Sequence, residues 1–385
     1  MHPISRPLAG LVVAGLLFTG ACKSSEAEAQ PRPSVVASAS AANAPNANSS
    51  NASSLGAEAS PSGSPSASSS AGATVSPSAS ATAIPESTAT ASAAEQDAGP
   101  VVAPYVDIVS GTADLEEVHS KTGLTDFSLA FVLADAEGTC TPTWGGTTAI
   151  DSSTVADEIE AIGDIGGEAI VSTGGATGTY LENVCSAGDL AQAYRKALDV
   201  AGSNHLDVDI EQDVDYGTVA EALAALQAGQ GTEISLTLPV GGTETGLTDE
   251  DVALLQTLAD AGVEVTVNAM TMNFSYDSGW GDAMTEATEA VHADLAKVWP
   301  GRSESELYAM LGVTPMIGVN DTGPVTTVAN ARTVLAFARE KGLGFVRFWS
   351  VNRDNGDCGD GELSGQCSGI SQSDYAFTKL FADFE

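Results

Sequence analysis

The chain of 385 residues is poor in cations, with 14 Lys and Arg against 51 Asp and Glu and a formal charge of −37. Nucleic-acid binding needs a cationic stripe, and none can be assembled from so few. Docking onto anionic lipid by charge is excluded on the same ground. Histidine is scarce too: His2, His119, His205 and His292 are the only four. They are scattered, which argues against a His-rich zinc centre, and no Cys-x-x-Cys spacing offers another. No metal and no cofactor is expected. The sequence also lacks a Gly-x-Gly-x-x-Gly turn after its first strand-like run, which disfavours a doubly wound dinucleotide-binding sheet.

Aromatics are missing from a whole region. Residues 23–103 hold no Phe, Trp or Tyr and are dominated by Ser, Ala, Pro, Gly and Thr. Such a segment buries too little apolar surface to offset its chain entropy, and it reads as a disordered linker. As a flexible coil it would span roughly 50 Å. Before it, residues 1–22 read as an export signal: Arg6 supplies the positive end, residues 8–18 are apolar, and small residues follow. That apolar run is too short to cross a bilayer. It ends in Thr19-Gly20-Ala21-Cys22, which resembles a bacterial lipobox. Thr19 departs from the usual Leu, so an ordinary cleaved signal stays open beside lipidation of Cys22. The protein is therefore expected outside the cell, tethered to the membrane only if Cys22 carries lipid. An exported domain with Cys140, Cys185, Cys358 and Cys367 most simply holds two disulfides. Three pairings are possible. Cys358 and Cys367 flank a short Gly-rich loop and are paired locally, leaving Cys140 with Cys185.

Residues 104–385 alternate two kinds of stretch. Strand-like runs fall at 105–109, 127–133, 169–172, 205–210, 233–238, 263–270, 311–317 and 344–349. Amphipathic stretches between them include 189–200, 218–227, 249–261, 284–298 and 325–341. Eight strands alternating with helices over such a length predict one α/β domain, a single (β/α)8 barrel of the TIM type. Chemistry in that fold sits at the C-terminal ends of the strands. On the fourth run, Asp207, Asp209 and Glu211 alternate with Leu206, Val208 and Ile210. Period two puts the acids on one face and the aliphatics on the other. With the aliphatics against the helices, three acids face the barrel interior. Crowded carboxylates raise one another's pKa, which makes a general acid at neutral pH. A solvated edge strand, or a Ca²⁺ or Mg²⁺ site, would use the same residues differently.

These strand ends resemble glycoside hydrolase family 18, the chitinase family, in a branch similar to actinobacterial chitinases. The family's Asp-x-x-Asp-x-Asp-x-Glu is matched in its last three acids by Asn204-His205-Leu206-Asp207-Val208-Asp209-Ile210-Glu211. Ser172-Thr173-Gly174-Gly175 matches the third-strand motif, Met270-Thr271-Met272-Asn273 is similar to the sixth-strand motif, and Trp349 ends the eighth strand. The resemblance implies an exported, monomeric glycosidase without cofactor that cleaves β-1,4-linked N-acetylglucosamine chains with retention. Glu211 is implied as acid, Asp209 as the partner of the substrate's acetamido N–H, and Asp207 as the residue that holds Asp209 and helps cycle its charge. Ser172, Gly174, Gly175, Met270, Met272, Asn273, Tyr276 and Trp349 are implied at the sugar, with Trp349 as floor. Met272 cannot donate the hydrogen bond a Tyr would give there. Asn273 and Tyr276 are the candidate replacements, with Tyr180 behind them. Trp144 and Trp280, in loops after the second and sixth strands, could stack on sugar rings or simply pack. The same chemistry on peptidoglycan or N-glycan cores, and a non-catalytic sugar-binding lipoprotein on the same barrel, remain open.

Overall fold

The computed structural model describes residues 101–277 and 279–384. The signal, Cys22 and nearly all of the linker lie outside the described residues. Eight parallel strands form the wall: β1 Tyr105–Asp107, β2 Phe127–Ala134, β3 Ala169–Gly174, β4 His205–Asp209, β5 Glu233–Gly242, β6 Thr266–Met270, β7 Leu311–Val313 and β8 Phe345–Val346. They pair in chain order from β1 to β8. A parallel bridge from Val102 to Val346 joins the two ends, with Val346 N–H donating to Val101 O at 2.9 Å, so the sheet closes on itself. The barrel wall thus begins two residues before the boundary that composition suggests, because Val101 and Val102 are an apolar pair at the linker's end.

A helix follows each strand: α1 Leu115–Thr122, α2 Ser153–Asp164, α3 Ala187–Ala201, α4 Tyr216–Gln230, α5 Asp249–Asp260, α6 Trp280–Val298, α7 Val328–Lys341 and α8 Ala376–Phe381. Their limits have local causes. The Ser186 side chain accepts from Asp189 N–H to start α3, and Gly202 in the left-handed region ends it. On α3, Leu190, Ala191, Tyr194, Ala197, Leu198 and Ala201 are buried, the spacing of one helical stripe. That stripe meets the outward face of β4, where Leu206 and Val208 are fully buried. Burying each such side chain stabilises by about 1.5–3 kcal/mol.

Short elements decorate the C-terminal face. Pro142–Trp144 pairs antiparallel with β2, and Gly318–Val319 pairs with Val325–Thr326. The latter corrects the expected helix over 325–341: it starts at Val328, because Thr327 and Asn330 form a capping box. Both expected disulfides are present, Cys140–Cys185 and Cys358–Cys367. The first ties the loop after β2 to the loop after β3. The second closes a loop between β8 and α8.

Candidate active site

The register of the wall sets the carboxylates in place. Asp207 pairs with Ser172 of β3 and Ser235 of β5, and Asp209 pairs with Gly174 and Thr237. Side chains of β4 alternate as period two requires, so Asp207 and Asp209 point into the barrel while Glu211 lies at its mouth, exposed.

Asp207 is fully buried and saturated with donors. Its Oδ1 accepts from Ser235 Oγ at 2.6 Å, Thr237 Oγ1 at 2.8 Å and Arg347 Nη1 at 2.7 Å. Its Oδ2 accepts from Tyr105 Oη at 2.8 Å and Ser172 Oγ at 2.7 Å. Burial alone would raise this carboxyl. The Arg347 guanidinium and the hydroxyls of Ser235, Ser172 and Thr237 more than offset it and hold Asp207 below the ordinary carboxylate range. Arg347 is itself 1% exposed, and its Nη2 also reaches Ser235 Oγ.

This layer refines the reading of three crowded acids that raise one another's pKa. Asp207 is a fixed anion, and none of its five donors is Asp209. It acts on Asp209 through charge. Asp209 is 3% exposed and its Oδ1 has no hydrogen-bond partner. Burial, then the charges of Glu211 and Asp207, push it well above the ordinary range, against the pull of Arg347. Glu211 is pushed up to about 7, by desolvation first and then by the charge of Asp321. The titrating unit is therefore the pair Asp209–Glu211, which holds a proton at neutral pH. His205 stays uncharged: burial and Arg347 push it down to about 3.

Gly174 and Gly175 explain themselves at this point. Both have positive φ, 87° and 88°. A Cβ on Gly174 would lie 1.9 Å from the Asp209 carbonyl oxygen, and one on Gly175 would lie 2.7 Å from the Phe131 ring. Gly174→Ala is expected to destabilise the fold by about 1–2 kcal/mol for the left-handed backbone and by about 1–3 kcal/mol more for overpacking. Urea titration of the variant checks this, and an unchanged midpoint would refute it.

The floor of the mouth is aromatic. Trp349, half-buried, stacks on Phe131 with centroids 5.6 Å apart and planes 12° apart, and Tyr105 lies within 6.0 Å of both rings. Met270 is buried at the end of β6 and Met272 is half-buried just beyond it. Tyr276 is 41% exposed in the same loop.

Several expected substrate contacts are reassigned. Ser172 is fully buried and its hydroxyl serves Asp207, so with Gly174 and Gly175 it shapes the acid ladder from behind. Trp144 offers no sugar platform: it is fully buried and its Nε1 donates to Ile150 O at 3.1 Å. Trp280 begins α6, is 4% exposed and donates to Thr326 Oγ1. The Asn273 amide is spent on Asp321, donating to its Oδ2 and accepting from its N–H, both at 2.9 Å. The Tyr180 hydroxyl donates to Gly175 O and accepts from Glu211 N–H. Sequence reasoning missed Arg347, Asp321, Tyr105, Ser235 and Thr237. Polar residues at alternate positions of apolar strands were the available signal for four of them. Among the described residues, no group of three or more His, Cys, Asp or Glu could hold a metal ion.

A closed parallel barrel whose fourth strand carries a pinned anion and a buried carboxyl of raised pKa, with a further carboxyl near neutrality at the mouth beside an aromatic floor, defines a barrel glycosidase site. No family model matches the chain. Individual relatives do. The catalytic domain of a hyperthermophilic chitinase from Pyrococcus furiosus superposes with a TM-score of 0.68 at 34% identity, covering 74% of this chain and 95% of that one. A probable bifunctional chitinase/lysozyme of Escherichia coli is 33% identical over 311 residues, covering 74% of this chain and 34% of the relative. Endochitinase 11 of Metarhizium anisopliae is 33% identical over 284 residues, 66% of this chain and 52% of the relative. The chain thus spans about a third to a half of these two curated relatives' length. It belongs to glycoside hydrolase family 18.

Proposed function

We propose that this chain hydrolyses β-1,4-linked N-acetylglucosamine chains, with retention and with help from the substrate's own acetamido group. The observation that carries this reading is the division of labour along β4. Asp207 is held as an anion by five donors, Asp209 is a buried carboxyl of raised pKa beside it, and Glu211 stands at the mouth near its titration point. Glu211 gives its proton to the glycosidic oxygen as the C1–O bond breaks. The acetamido oxygen attacks C1, forming an oxazolinium ion. With the pair's proton on Glu211 at the start of the step, Asp209 is ionised, accepts a hydrogen bond from the acetamido N–H and balances the cation with its charge. Glu211 next takes a proton from water, which attacks C1, reopens the ring and keeps the configuration. This is a recognised exception to the two-carboxylate scheme.

Export belongs to the same proposal, with lipid at Cys22 as its finer form. Arg6, the apolar residues 8–18 and the two disulfides support export, since such bridges persist in oxidising compartments.

A second reading, a sugar-binding barrel without turnover, draws on Met272 and on the Asn273 amide committed to Asp321. One assay separates the two. The full chain is incubated with fluorogenic N-acetylchitooligosaccharides and with the same oligosaccharides N-deacetylated. Cleavage of the acetylated series alone is expected. Saturable binding without release of fluorophore would favour the binder, and equal cleavage of both series would remove the role of the acetamido group.

A further inference from the structure

The Glu211 backbone is held by an unusual connection. In a parallel ladder, a residue donates to the residue before its partner and accepts from the one after it. Gly174 pairs with Asp209, so the next step would pair residue 175 with residue 210. Half of that step exists: Gly175 N–H donates to Asp209 O at 3.1 Å. The other half would send Glu211 N–H to Gly175 O. Instead the Tyr180 hydroxyl stands between them, accepting from Glu211 N–H at 3.0 Å and donating to Gly175 O at 2.7 Å.

We propose that Tyr180 is a positioning residue for the acid: its hydroxyl, inserted into the β3–β4 ladder, sets the Glu211 backbone back from β3 and so aims the carboxyl across the mouth. The inference rests on the reading of Glu211 as acid. It also goes beyond it, because nothing in the carboxylate motif specifies a phenol 31 positions before Glu211, between a Gly-rich strand end and a short helix.

The surroundings make the hydroxyl a fixed spacer. Tyr180 is fully buried and caps the helix Leu181–Val184, whose next residue is Cys185 of the bridge to Cys140. The neighbouring Thr179 O accepts from Ala134 N–H of β2 at 2.9 Å. The ring lies against Gly174, with Cζ 3.4 Å from where a Cβ would stand. On the other side of Glu211, Ile210 N–H donates to Thr237 O at 3.0 Å. The main chain carrying the acid is therefore held from β5 directly and from β3 through one oxygen. Without that oxygen, either Glu211 N–H and Gly175 O are left unpaired or the ladder closes and draws Glu211 toward β3. Both outcomes move the proton donor away from the bond it serves.

The test compares Tyr180→Phe, Glu211→Gln and wild type on soluble N-acetylchitooligosaccharides, using the full chain. Tyr180→Phe keeps the ring and removes only the oxygen. Its kcat should fall about 10–100-fold, the scale of a roughly 1 Å misplacement. KM and the melting temperature should stay near the wild-type values. A kcat equal to wild type, or a loss of kcat together with KM and melting temperature, overturns the proposal. Should the variant fail to fold, hydrogen exchange on wild type decides: the Glu211 amide should be protected although the residue is exposed, and free exchange there overturns the proposal. Should Glu211→Gln retain full activity, the reading of the acid fails, a result distinct from an inert Tyr180→Phe beside an inactive Glu211→Gln.

Discussion

Glu211→Gln is expected to lower kcat on N-acetylchitooligosaccharides by about 10²–10⁴-fold, the contribution of a positioned general acid. KM and thermal stability should barely change. The amide is isosteric with the protonated acid, and the Glu211 backbone bond to Tyr180 does not involve the side chain. The pH dependence follows from the direction of the shift. Glu211 is raised to about 7 by desolvation and by Asp321, so the free protein carries its proton below that pH and loses it above. In wild type, kcat/KM should therefore fall as pH rises through about 7. In Glu211→Gln the residual rate should lack that limb. A variant with near-wild-type kcat, or one that keeps the limb, would show that another group delivers the proton.

Arg347→Met should produce the largest change in stability. The substitution keeps an apolar stem but strands the Asp207 carboxylate, which is fully buried. Breaking a buried ion pair in this way costs about 3–5 kcal/mol. The sign of the pH dependence can be worked out. In wild type the folded pKa of Asp207 is depressed, so its stabilisation is present above the unfolded carboxylate pKa and is lost as pH falls through the folded value. In the variant only the hydroxyls of Ser235, Ser172 and Thr237 oppose the desolvation of Asp207. The folded pKa then rises from its wild-type value, and the stabilisation that the charged form gives above it is lost. The groups facing Asp207 are Tyr105, Ser172, His205, Asp209, Ser235, Thr237 and Arg347, and no second cation among them takes over. The gap between wild type and variant should thus be wide at pH 7 and narrow toward pH 4. Urea unfolding at the two pH values measures it. An equal gap at both would mean that Arg347 acts through packing and not through the charge of Asp207.

The parts of this account legible in sequence are those with local or periodic causes. The barrel follows from eight apolar runs at regular spacing. The ladder on β4 follows from strict alternation of acid and aliphatic. The disulfide pairing follows from proximity in chain for Cys358 and Cys367, and then from what remains. Helices α1, α2 and α8 leave little trace in the sequence because they are short or carry few apolar positions; α1 buries only Leu115 and Val118. What sequence did not disclose depends on partners far along the chain. Arg347 and Asp207 are 140 positions apart, so a lone Arg in an apolar strand gave no hint of its anion. Asn273 looked free to meet a sugar because Asp321, 48 positions on, could not be placed beside it. Trp144 looked like a loop platform because nothing in the sequence showed that its strand folds back onto β2. Tyr180 illustrates the same limit in the other direction: its hydroxyl matters through a gap in a ladder that only the register reveals.

The most direct measurement is the anomeric configuration of the first product. Full-length protein would be added to N-acetylchitooligosaccharide, and the reducing-end proton signals followed by NMR from the earliest seconds, before mutarotation. Substrate-assisted attack from the acetamido oxygen predicts that the new end appears first as the β anomer and equilibrates only later. First appearance of the α anomer, or no new end at all with bound sugar still detected, would contradict the account at its centre.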